Sequence, residues 1–385
     1  MMQQNTTHSW TFPFCPTPAA WHLDWEGIER QFHWIRALAG VEQDPFYHAE
    51  GDVLVHTRMV ATELVGLDAW RALPPQARMQ VFAAALLHDV AKPQRTHVGE
   101  NGRINSHGHA RHGESMARRI LWSGDELAGP PPFAVREQIA RLVRFHGLPM
   151  HFLEKPQPER AVIRASMSVR LDDVALLAEA DMRGRMCADQ PELLERIELF
   201  REFCREQGCY DGPRQFASPY SRFMYFQSEQ RDPDYAAYDD TTFEVVLMAG
   251  LPGVGKDSWI TQHLGGWPII ALDEIRKRLH ISPEGNQGLV IQTAKEQARG
   301  YLRQQQPFVW NATNVTRSLR EQLVNFFVSY GARVRIVYLD APLETIFRRN
   351  RSRAAHVPEA VMNKLIDKLD VPDMAEAHVV LWESI

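Results

Sequence analysis

The rhythm of hydrophobic and polar positions changes once along the chain. From about residue 52 to 205, apolar residues recur at i, i+3, i+4 and i+7 with few β-branched runs, which predicts helices throughout. Inside that stretch QVFAAALLHDVAKP, residues 80–93, is apolar from Val81 to Leu87 and predicts a buried helix. After about residue 206, Gly208, Gly212, Pro213, Pro219 and Pro233 break the pattern and, with Asp239 and Asp240, mark a connecting region. Its aromatic residues Tyr220, Phe223, Tyr225 and Phe226 predict that it packs on one of its neighbours. From Thr242, short apolar runs (FEVVLMAG, WPIIAL, QPFVWNAT, RVRIVYLD, HVVLW) alternate with helical stretches such as TRSLREQLVNFFVSYG. That alternation predicts a parallel sheet covered on both faces.

A chain of 385 residues exceeds what one core usually serves, so two domains are expected. The pattern divides them as an all-α domain over 1–205 with its core at about 40–190, a connecting region over 206–241, and an α/β domain over 242–385. Residues 1–35, which hold Trp10, Trp21, Trp25 and Trp34, are expected to pack on their own domain.

Charge narrows the choice of partner. Residues 1–240 carry 26 Lys and Arg against 33 Asp and Glu, and residues 241–385 carry 17 against 15. Neither part has the broad basic field of a non-specific nucleic-acid binder, so any polynucleotide contact is expected to be local. The four cysteines form no CxxC pair and no disulfide framework, which suits a reducing compartment. No basic start followed by an apolar run marks a signal peptide, and no run approaches the ~18 apolar residues of a membrane span. A cytoplasmic protein with no membrane partner is the expectation.

Histidine is lopsided: 12 of 16 lie within the first 151 residues. His88 and Asp89 close the buried run, where either is costly to desolvate unless paired or metal-bound. Helical phase adds His56 (with Val60 and Leu64), His109 (with Met116 and Ile120), His146 (with Ile139 and Val143) and Asp181 (with Val174 and Ala178). Each alone is ordinary. Five helices all aiming such groups inward are better served by a shared divalent metal, and imidazole with carboxylate suits Mn, Fe, Co, Ni or Zn.

These residues resemble the H…HD…H…H…D signature of HD-domain phosphohydrolases, all-helical metal-dependent phosphoesterases. QDPFYHAEGDVLVHTRMV, residues 43–60, and HGHARHGESMARRI are similar to segments of the HD domain of bacterial tRNA nucleotidyltransferases. The resemblance implies that His56, His88, Asp89 and Asp181 hold one metal, and that His109 and His146 complete a second site bridged by Asp89. Such metals activate water and neutralise phosphate charge. Lys92 is placed to reach a phosphate oxygen or to be a solvated surface lysine. His107 and His112 flank the third ligand position and are expected at the surface.

The second half carries GLPGVGKDSW, residues 250–259, after an apolar strand and before a helix, the context a phosphate-binding loop requires. Gly250, Gly253, Val254 and Gly255 supply backbone N–H groups, and Lys256 a cation for the β- and γ-phosphates. ATP or another NTP with Mg²⁺ is the expected ligand. Asp257 stands where Ser or Thr normally binds Mg²⁺ and is followed by Ser258; a carboxylate is itself a hard Mg²⁺ ligand, so Asp257 reads as an altered metal ligand or as a weakened site. Asp273 follows a strand end with Arg276 one turn later, and IFRRNRSR, residues 346–353, gathers Arg348, Arg349, Arg351 and Arg353.

This set resembles the 5′-hydroxyl polynucleotide kinase branch of P-loop phosphotransferases, which shares the loop, the aspartate with arginine three residues on, and an RNxxR lid. The resemblance implies Asp273 as general base, Arg276 on the substrate phosphate, and Arg349 and Arg353 as lid arginines. Asn311 and Asn314 in WNATN fall where such kinases carry a polar strand-end motif. The two halves together resemble the bacterial HD-Pnk type of bifunctional end-healing enzyme. That implies a kinase for 5′-OH ends and an HD module removing 2′,3′-cyclic phosphate or 2′/3′-phosphate from RNA or DNA, with a polynucleotide ligase acting downstream. A nucleoside or small-molecule kinase fused to an HD nucleotidase is the enzymatic alternative. A non-catalytic nucleotide-sensing regulator is the other.

Overall fold

The computed structural model describes residues 10–100, 102–282, 285–353 and 356–385. The chain divides into two compact units, Met1–Gln215 and Phe216–Ile385. Among the described residues no helix is long and apolar enough to cross a membrane.

The first unit is built on helices α1 (Val53–Gly66) and α2 (Pro75–Leu87), a hairpin of β1 (His97–Val98) and β2 (Ile104–Asn105), then α3 (His109–Ser123), α4 (Phe133–Phe145), α5 (Leu171–Arg183) and α6 (Gln190–Glu206). Asp52 starts α1 by accepting from the backbone N–H of Val55 at 2.9 Å, which satisfies one of the free donors of the first turn. In α2 every residue from Val81 to Leu87 is fully buried, because α1, α4 and α5 cover it on all sides. The hairpin departs from the expectation of helices throughout. Its segment THVGENGRINS is polar and carries Gly99 and Gly102, so it has no apolar stripe to hold a helix against the core.

Helices α3 and α4 are locked by buried charge: Arg118 donates to Glu114 at 2.7 Å and to Glu137 at 2.9 Å. Packed as antiparallel neighbours, they bring the first residue of α3, His109, beside the residue that ends α4, His146. Of the early tryptophans, Trp25 and Trp34 are buried, Trp21 packs edge-on against Trp70, and Trp10 donates to the Gly129 carbonyl at 3.0 Å.

The second unit opens with α7 (Pro219–Gln227), whose Tyr220, Phe223, Tyr225 and Phe226 are buried within this unit. Five parallel strands follow: β3 (Phe243–Ala249), β4 (Ile269–Ala271), β5 (Phe308–Asn311), β6 (Ala332–Asp340) and β7 (Val379–Ser384). They stand in the order β4-β5-β3-β6-β7. Val245, Val246, Leu247 and Met248 of β3 are fully buried, as a central strand covered on both faces requires. The order reverses direction at β3, so the carboxyl end of β3 is a topological switch point, where open α/β sheets bind ligands. Helices α8 (Lys256–His263), α9 (Leu272–Arg278), α10 (Gln287–Arg303), α11 (Arg317–Val328) and α12 (Leu343–Arg351) connect the strands.

Candidate functional sites

In the first unit, buried ends of helices converge on one point. His56 Nε2 lies 3.1 Å from Asp181 Oδ1 and 3.3 Å from His88 Nε2. Asp89 stands between two groups, with Oδ2 3.2 Å from His88 Nε2 and Oδ1 3.4 Å from His109 Nε2. His109 Nε2 and His146 Nε2 are 3.4 Å apart. The set resolves into two clusters, His56–His88–Asp181 and Asp89–His109–His146, each with ligand atoms within 4.8 Å of one another. His109 alone among the six is partly open, with a quarter of its side chain exposed.

The far nitrogen of each imidazole explains its orientation. Nδ1 of His88, His109 and His146 lies 2.8, 2.9 and 2.8 Å from the carbonyls of Ala85, Ser106 and Val143. A carbonyl only accepts, so each Nδ1 carries a proton and Nε2 is the nitrogen turned inward, able to offer its lone pair to a metal. His56 does the same through Glu50, whose Oε1 is 2.9 Å from Nδ1. Four ring nitrogens and two carboxylates therefore face one small space. Facing lone pairs repel without a cation between them, and neutral imidazole with carboxylate is a donor set for divalent transition metals, so these residues fit such ions.

Electrostatics follow from burial and neighbours. Burial lowers His146 to about 3, with His109 and His88 adding to the effect. Burial also opposes charge on Asp89, but Lys92 and His88 outweigh it and hold the carboxyl well below its ordinary range. Asp181 is held low in the same way, against its burial, by Arg185 and His56.

Four residues outside the helical pattern complete this site. Glu50 also takes Nδ1 of His48 at 2.8 Å and the backbone N–H of Met186 at 2.9 Å. Arg185 grips Asp181 through two oxygens, at 2.9 and 3.2 Å. Gln43 accepts from Lys92 Nζ at 2.6 Å. Lys92 itself lies 2.7 Å from Asp89 and is buried, which sets aside a solvated surface lysine. His48, Glu50 and Gln43 sit in coil inside the HD-like segment 43–60, and Arg185 lies just past the end of α5, four residues after Asp181. His107 is exposed, and His112 bonds Gln94 at 3.0 Å.

In the second unit the glycine loop lies at the carboxyl end of β3. Gly250 and Gly253 have φ of +138° and +81°, and a Cβ would meet the carbonyl oxygens of Leu339 and Ile346 at 2.8 and 2.9 Å. Lys256 Nζ folds back onto the carbonyls of Gly250 and Leu251 at 2.9 and 3.0 Å, and burial lowers its pKa to about 8. Asp257 accepts from Asn311 Nδ2 at 2.6 Å, which ties the loop to the end of β5. Asn314 donates to the Met248 carbonyl at 2.7 Å, against the central strand.

Asp273 at the start of α9 receives Arg276 at 2.5 Å and faces Arg353 at 3.9 Å. Arg349 donates to the Val254 carbonyl at 3.2 Å. Lys256, Asp257, Asp273, Arg276, Arg349 and Arg353 thus gather around one loop. Arg348 and Arg351 point elsewhere: Arg348 is largely exposed, and Arg351 pairs with Glu359 at 3.2 Å. Ser258 is exposed on α8.

Comparison with known families agrees with this division. Residues 53–168 match the HD domain and residues 245–372 match an AAA domain. A stretch of 135 residues is 23% identical to L-seryl-tRNA(Sec) kinase of Methanococcus maripaludis, covering 33% of this chain and 53% of that protein. The chain therefore spans about half the length of that curated relative. It carries a mostly helical HD phosphohydrolase domain followed by a P-loop kinase-like domain with a five-stranded parallel sheet. Domains of these kinds take divalent metals and ATP with Mg²⁺ respectively.

Proposed function

We propose that this chain heals nucleic-acid ends: the C-terminal domain phosphorylates 5′-OH polynucleotide ends from ATP, and the HD domain hydrolyses 2′,3′-cyclic phosphate or 2′/3′-phosphate ends. The observation that carries the reading is the setting of Asp273. Its carboxylate is held by Arg276 beside the phosphate loop, yet two-thirds of the side chain is exposed. That exposure leaves room for the end of a polymer to approach the carboxylate. The relative named for a seryl-tRNA acceptor supports an acceptor joined to nucleic acid.

In the kinase step, Asp273 takes the proton as the 5′-oxygen forms its bond to the γ-phosphorus and the bond to the β-bridging oxygen breaks, releasing ADP. Lys256, Arg349 and Arg353 neutralise charge on the transferring group, and Arg276 holds the acceptor phosphate. Asp257, steadied by Asn311, serves as the Mg²⁺ ligand.

In the HD domain, His56, His88, Asp89 and Asp181 hold one divalent ion, and His109 and His146 with Asp89 hold a second. Bound there, such ions supply an activated water and offset phosphate charge. Lys92 has two of its three donors committed to Gln43 and Asp89, which leaves the third for a phosphate oxygen. One water opens a cyclic phosphate to a 2′- or 3′-phosphate and a second releases that phosphate; the resulting 3′-OH, with the 5′-phosphate, is what a polynucleotide ligase joins.

The test is one oligonucleotide bearing a 5′-OH and a 2′,3′-cyclic phosphate, assayed with ATP and a panel of divalent metals, beside free nucleosides. Phosphate transfer to both the oligonucleotide's 5′ end and phosphate release at its 3′ end is expected. Transfer to nucleosides alone would overturn the reading.

A further inference from the structure

The turn that leads into α1 carries a feature the metal centre does not use. Phe46 is 65% exposed and Tyr47 41% exposed, and their rings meet edge to face at 4.9 Å between centroids. The turn is rigid: the side chain of Asp44 takes the backbone N–H of Phe46 at 3.0 Å, and its carbonyl takes those of Tyr47 and His48 at 3.0 and 2.9 Å.

Both ends of the turn are pinned to the candidate metal centre. On one side Gln43 accepts from Lys92, which pairs with Asp89. On the other, His48 binds Glu50, which holds His56. The next strand of chain adds to the same patch, since Ala49 N–H donates to the Met186 carbonyl at 3.0 Å and the Met186 side chain is 55% exposed. Phe46, Tyr47 and Met186 are thus three exposed apolar side chains carried by one hydrogen-bonded stretch beside the centre.

We infer that Phe46 and Tyr47 form a stacking platform for the base of the terminal nucleotide whose 3′-phosphate enters the HD centre. The inference rests on the polynucleotide reading above and names the substrate feature that the site would recognise. Only Tyr47 separates Phe46 from His48, so the platform's backbone is at most about 7 Å from a residue tied through Glu50 to His56 of the centre. Every base has a π-face, so a platform of this kind grips an end without reading sequence. It also suits a unit with no basic field, because affinity then comes from stacking and not from phosphate contacts alone.

The experiment compares two substrates on the full chain loaded with divalent metal: a 3′-phosphorylated oligonucleotide, and the same oligonucleotide lacking its terminal base. For Phe46→Ala/Tyr47→Ala, KM for the complete substrate is expected to rise roughly 5- to 150-fold, the range one base stack represents, with KM for the abasic substrate unchanged. Phe46→Trp in the Tyr47→Ala background is expected to restore most of the difference. Equal effects on the two substrates, which a merely misfolded variant would also give, overturn the platform. Wild-type enzyme that hydrolyses both ends with the same KM overturns the platform but leaves end healing standing. Wild-type enzyme that hydrolyses neither, while cleaving a simple alkyl phosphate, overturns both.

Discussion

One oxygen of Glu50 lies 2.9 Å from Nδ1 of His56 and 2.8 Å from Nδ1 of His48, so a single buried carboxylate decides which nitrogen of His56 faces the metal centre. At this distance the anion's field favours a proton on Nδ1 and so a lone pair on Nε2, although the contact is not aligned as a hydrogen bond. Glu50→Gln keeps a carbonyl oxygen but loses the charge. The expected outcome is a 10- to 100-fold weaker apparent affinity for divalent metal, the usual cost of losing such an orienting partner. Metal titration by calorimetry reads it directly, and unchanged affinity would assign Glu50 to packing alone.

The two sets of residues belong to separate units, and their chemistries are expected to fail separately. Asp273→Ala should lower phosphate transfer by 10²- to 10⁴-fold, the range for a positioned general base, and leave phosphoesterase activity intact. Asp89→Ala should do the reverse. Loss of both activities from either change would contradict two independent sites.

Asp257 distinguishes an altered Mg²⁺ ligand from a weakened one. If its carboxylate serves the ion, Asp257→Ala should raise the Mg²⁺ concentration for half-maximal kinase rate at least about tenfold, and Asp257→Ser should recover much of the loss through its hydroxyl. A flat Mg²⁺ profile across the three proteins would show that the bond to Asn311, at 2.6 Å, is the residue's whole purpose.

His378 sets an acid limit on the second unit. Fully buried among Tyr220 and Phe223, it accepts the Val334 backbone N–H on Nδ1 at 3.0 Å. Burial, with Arg333 adding to it, lowers its pKa to about 4. The unfolded chain, near 6.5, binds the proton first, so stability is full above pH 6.5 and falls as pH drops toward 4, by about 3 kcal/mol in all. His378→Asn keeps an acceptor near Nδ1 and cannot titrate. Calorimetric melting of the full chain between pH 4 and 7 should show this part of the slope in the native protein and lose it in the variant; equal slopes would assign the acid sensitivity elsewhere.

What the sequence determined by itself was whatever repeats with a period. The 3.6-residue phase of α1 to α5 marked His56, His109, His146 and Asp181 as inward-facing, and the alternation of short apolar runs with helices marked all five parallel strands. The glycine loop was legible because its chemistry is local, held within ten consecutive residues. The tertiary structure alone decided what lies in coil. Glu50, His48, Gln43 and Arg185 belong to no periodic face, and a residue outside a helix or strand has no phase to say where its side chain points. Lys92 was open for the related reason that one of its partners, Gln43, lies 49 residues away along the chain. So too with Asp273, Arg276 and Arg353: their spacing named a motif, but only the return of α12 toward α9 puts the third beside the first.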